Sequence, residues 1–113
     1  MTRIIWFSRH NPLESQKKEL ERIFGEVELL IDTLPFSDAA DVANRFKLAN
    51  ADEMVVVAPL SVIDRLCQLG IQPLFAEMDV VQSGEYDVIA AGRKYKFKNF
   101  SRIREIKIVK EQL

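Results

Sequence analysis

Apolar and polar positions along this chain fall into blocks whose spacing changes from one block to the next. Ile4, Ile5, Trp6 and Phe7 form a short apolar run that stops at Ser8-Arg9-His10. That is the pattern of a strand buried on both faces. Asn11-Pro12 and Glu14 then predict a helix start, with Asn11 as N-cap, Pro12 at the first helical position and Glu14 as the capping-box acid. Leu13, Leu20, Ile23 and Phe24 recur at helical spacing, and Gly25 closes the helix.

The theme repeats twice. Val27, Leu29, Leu30 and Ile31 predict a strand ending at Asp32-Thr33. Ser37 is the expected cap of a helix with Ala39, Val42, Ala43, Phe46 and Ala49 on one face. Met54 to Ala58 is the most strand-like segment. It leads through Pro59-Leu60 to an expected cap at Ser61, with Asp64 in the capping-box position. Val62, Ile63, Leu66, Cys67 and Leu69 line a short helix that ends at Gly70. Strand–helix repeated three times predicts a parallel sheet with right-handed crossovers.

After Gly70 the spacing predicts strands only. Pro73–Val81, Tyr86–Ala91, Arg93–Lys98 and Ile103–Val109 read as strands, with a turn at Ser83-Gly84. Hairpins are the expected way for them to extend the sheet. No linker interrupts the chain, so residues 1–113 read as one domain.

Composition changes this picture little. The chain of 113 residues carries a net charge of −1, which by itself points to neither a long nucleic acid nor a membrane surface. One Cys and one His leave no intrachain disulfide and no Cys/His zinc set. No segment has membrane-spanning length and no secretory signal is visible, which makes a cytoplasmic location the expectation. Charge is uneven: residues 1–70 carry a net −3 and residues 71–113 a net +2. In Lys94-Tyr95-Lys96-Phe97-Lys98 the pleat sends three lysines to one face and two aromatics to the other. Such a ladder most simply protects a sheet edge.

Candidate chemistry gathers where a parallel sheet binds ligands, beyond the carboxyl ends of its strands. Three segments are expected there: Ser8-Arg9-His10-Asn11, Asp32-Thr33 with Ser37, and Pro59-Leu60-Ser61. Helix N-termini favour an anion at such an edge, and Arg9 adds a planar, permanently charged fork suited to phosphate. His10 is the one side chain whose ordinary pKa allows proton exchange near neutrality. There is no GxGxxG, no P-loop pattern, no GxSxG and no CxxC.

The opening strand ending in Ser8-Arg9-His10 resembles the small CRISPR-associated proteins of type III systems. So do Val55-Val56-Val57-Ala58-Pro59 with the following helix and Gly70, Pro73-Leu74-Phe75-Ala76-Glu77, and Lys94-Tyr95-Lys96-Phe97-Lys98-Asn99-Phe100. Pro59-Leu60-Ser61 stands where that family has a glycine-bearing loop. The resemblance implies a Rossmann-like three-layer fold, with a central, mostly parallel sheet, helices on its faces and a C-terminal β-hairpin extension. It implies a homodimer that binds cyclic oligoadenylate, or another small phosphate-bearing ligand, and cuts it without metal or cofactor by attack of the ribose 2′-OH. Arg9 and helix N-terminal amides would then steady the phosphorane oxygens, and His10 would exchange protons. Ser8, Ser37 and Ser61 would position ribose or phosphate, with Asn11, Thr33, Pro59 and Leu60 beside them. Two further readings stay open: a nucleotide-binding module without catalysis, and an interaction protein in which the Arg-His turn is incidental.

Overall fold

A computed structural model describes all residues, 1–113. In chain order the elements are β1 (Thr2–Phe7), α1 (Glu14–Phe24), β2 (Val27–Asp32), α2 (Ala39–Leu48), β3 (Glu53–Val56), α3 (Leu60–Gln68), β4 (Leu74–Val81), β5 (Val88–Ala90) and β6 (Arg93–Arg102). They make an α/β fold with one mixed sheet of order β2-β1-β3-β4-β6-β5. The first four strands pair in parallel, and β6 runs antiparallel to both β4 and β5.

The central strands divide their side chains between two cores. Ile4, Trp6, Val55 and Leu74 pack with Leu20 of α1. Ile5, Phe7, Met54 and Val56 pack with Ala39, Val42 and Ala43 of α2 and Ile63 and Leu66 of α3. All four residues Ile4–Phe7 are buried, as the uninterrupted apolar run requires. Trp6 meets the ring of Phe100 edge-on at 6.1 Å, which ties β6 to the α1 side of the sheet.

Each predicted helix exists, and each begins elsewhere than its predicted cap. Helix α1 starts at Glu14, not at Asn11-Pro12, because the chain before it is held in other bonds. Its entry is fixed by the Leu13 amide, which donates to Oε1 of Gln16 at 2.8 Å. In α2 the Asp38 carboxylate takes the capping role expected of Ser37, accepting the Asp41 amide at 2.8 Å. In α3 the helix begins at Leu60 after Pro59, so Ser61 lies inside it and Asp64 accepts from Gln68 rather than closing a capping box.

The strand expected over Ile103–Val109 does not form. Instead β6 pairs with β4 as far as Arg102, opposite Leu74, and the chain then leaves the sheet. Ile103 and Ile106 pack against the α2–α3 core. Their spacing of three serves that packing and not the alternation of a strand.

Candidate functional site

Register brings the three predicted segments together. Phe7 stands beside both Asp32 and Val56, so the chain leaves β1, β2 and β3 at one level. The ladder continues one step further, with the Ser8 amide donating to the Asp32 carbonyl and the Val57 amide to the Phe7 carbonyl. From β1 the chain passes to β2 on one side and then crosses to β3 on the other. The crevice lies at that reversal, where parallel sheets bind ligands.

A cavity of about 480 Å³ opens there. Ser8, Arg9, His10 and Thr33 supply its polar lining, and Leu34, Pro35, Phe36, Val57, Ala58 and Pro59 the rest. Five of the nine predicted site residues therefore share one cavity: Ser8, Arg9, His10, Thr33 and Pro59. Asn11, Ser37, Leu60 and Ser61 do not line it.

Two bonds shape the turn after β1. Ser8 Oγ accepts the His10 amide at 3.2 Å, and the Trp6 indole N–H donates to the His10 carbonyl at 3.1 Å. The backbone is curled back onto the strand, while the side chains of Arg9 and His10 stand exposed. Arg3, Arg22, Arg45 and Arg102 each hold a carboxylate. Arg9, like Arg65, Arg93 and Arg104, holds none, and of these four only Arg9 lines the cavity.

The opposite wall is built by Arg45 of α2. Its guanidinium donates to the Leu34 carbonyl at 3.1 Å and the Pro35 carbonyl at 2.7 Å, and grips both oxygens of Asp41. It also lies 3.6 Å from Asp32, whose carboxylate accepts the Leu34 amide. The Ser37 amide, and after it Arg45, hold the Asp41 carboxyl below the usual carboxylate range.

The cavity is electrostatically one-sided. None of its lining residues is acidic, and the nearby Asp32 faces Arg45. Helix α3 begins at its rim with no acid in the first turn, and the Val62 and Ile63 amides both fold back onto the Pro59 carbonyl. An arginine without a carboxylate, an imidazole and the positive end of a helix together favour an anion. No group of three or more His, Cys, Asp or Glu side chains is placed to hold a metal ion.

Sequence reasoning missed the apolar wall. Leu-Pro-Phe at 34–36, directly after Thr33, was the available signal: three apolar residues where a connecting loop is ordinarily polar. The lysine ladder, in contrast, is partnered within its own part of the sheet. Lys96 stands opposite Asp79 and 3.9 Å from Glu85, Lys94 sits 5.0 Å over the Tyr86 ring, and an irregularity in the pairing falls beside Lys98. No helix is long and apolar enough to cross a membrane.

No family model, curated protein or solved structure matches this chain.

Proposed function

We propose that this chain binds a phosphate-bearing nucleotide in the crevice beyond β1, β2 and β3. One observation carries the reading: Arg9, free of any carboxylate, and His10 line a cavity that has no acidic residue. Phosphate on Arg9 would gain charge-assisted hydrogen bonds without displacing an internal partner. The fold belongs to the same reading, as a Rossmann-like three-layer arrangement with β5 and β6 as its hairpin extension.

Cyclic oligoadenylate is the ligand toward which the sequence resemblance points, and a homodimer would offer two such cavities to a symmetric ring. The reaction is transfer within the ligand. The ribose 2′-oxygen bonds to phosphorus as the bond from phosphorus to the 5′-oxygen breaks. His10 takes the 2′-hydroxyl proton and returns a proton to the departing 5′-oxygen. The product is a linear oligomer ending in a 2′,3′-cyclic phosphate. Arg9 is suited to the charge that develops on the phosphoryl oxygens.

Radiolabelled cyclic tetra- and hexa-adenylate, incubated with the protein in EDTA, test both parts. Linear products that disappear in Arg9→Ala and His10→Ala support cleavage. A gel shift without products supports a nucleotide-binding module. Neither outcome, from a normally folded protein, rejects both in favour of the interaction protein.

A further inference from the structure

The cavity divides by chemistry, and the division bears on what its ligand carries besides an anion. Ser8, Arg9, His10 and Thr33 form the polar side. The side made by Leu34 to Phe36 and Val57 to Pro59 has no side chain that can donate or accept a hydrogen bond. At its mouth Leu34 is 68% exposed and Val57 60% exposed. Large aliphatic groups left in water beside a free arginine suit a flat apolar group joined to an anion. Volume agrees: about 480 Å³ is the size of a site for a drug-sized molecule, and a lone phosphate would leave the apolar wall wet. The wall is also preformed, since Arg45 fixes the backbone at Leu34 and Pro35.

We infer that this apolar side receives the base of the nucleotide whose phosphate lies on Arg9 and His10, and that it reads the presence of a base, not its identity. This rests on the anion reading of the polar side. Adenine and guanine differ in the donors and acceptors along their edges, and only polar groups can tell them apart. The apolar wall has no side chain that does so. It rewards contact area, which all bases supply from their faces.

Isothermal titration calorimetry of the full chain with inorganic phosphate, ribose 5-phosphate, AMP and GMP tests this. The expected result is AMP and GMP within about threefold of each other, and both at least about tenfold tighter than ribose 5-phosphate. Leu34→Ala and Val57→Ala, at exposed positions, should each weaken AMP by roughly three- to tenfold and leave ribose 5-phosphate unchanged. Equal affinities for AMP and ribose 5-phosphate overturn the inference and leave the anion reading standing. A preference for one purine above about thirtyfold also overturns it, because a polar group must then read the base edge. If none of the four ligands binds, the anion reading falls and this inference with it.

Discussion

Arg45 shows how a residue outside a cavity can decide its shape. Its planar fork is 22% exposed and divides its donors between a carboxylate and two carbonyls of the 33–36 loop. A lysine has the charge but not the fork. Arg45→Ala is therefore expected to cost about 1–3 kcal/mol in urea unfolding, and Arg45→Lys to recover only a minor part of it. Asp41 adds a pH signature. Its folded pKa lies below its unfolded value, so its stabilisation is complete above the unfolded pKa and fades as pH falls through the folded one. The difference in urea midpoint between wild type and Asp41→Asn should be largest at neutral pH and shrink below about pH 4. Ala91 carries a different kind of signal. It adopts φ +50° and Gly92 φ +74°, a turn that favours Asn-Gly over Ala-Gly. Ala91→Asn is expected to stabilise by about 0.5–1 kcal/mol in the same assay.

At the scale of elements, apolar periodicity carried most of the architecture. The runs Ile4–Phe7 and Met54–Val56 are buried strands, and Val42, Ala43, Ile63 and Leu66 face the core as their spacing requires. Leu20 is the one fully buried apolar side chain of α1, so Leu20→Ala should cost about 2–5 kcal/mol. Helix starts were less legible because neighbouring side chains compete to cap. Asp38 follows Ser37 directly, and Asp38→Ala is expected to cost about 1 kcal/mol. Of the candidate site, Ser8 to His10, Thr33 and Pro59 could be read from strand ends alone. The Leu34–Phe36 part of the apolar wall showed only as an unusually apolar loop, because its position depends on a guanidinium ten and eleven residues further along, on a neighbouring helix. Likewise the pattern at 103–109 resembles a strand, but tertiary packing of Ile103 and Ile106 overrides it.

The whole molecule is a slab of 46 × 43 × 25 Å with a radius of gyration of 15.2 Å, above the roughly 13 Å of a compact chain this long. β5 and the neighbouring ends of β4 and β6 lie at one edge of the sheet. Val80, Val88 and Ile89 stay more than a third exposed there, and none belongs to either core. Protection of backbone amides should follow this division. In hydrogen exchange, β5 and residues 93–96 should open well before β1 and β3; uniform protection would mean that another surface covers the extension.

Trp6 is the only tryptophan, and its indole is bonded to the carbonyl of the residue that bears the imidazole. The molecule thus has a built-in optical gauge one hydrogen bond away from its cleft. A guest that displaces the Arg9–His10 turn is expected to perturb that link, and a shift in Trp6 emission on ligand addition is the measurement that checks it.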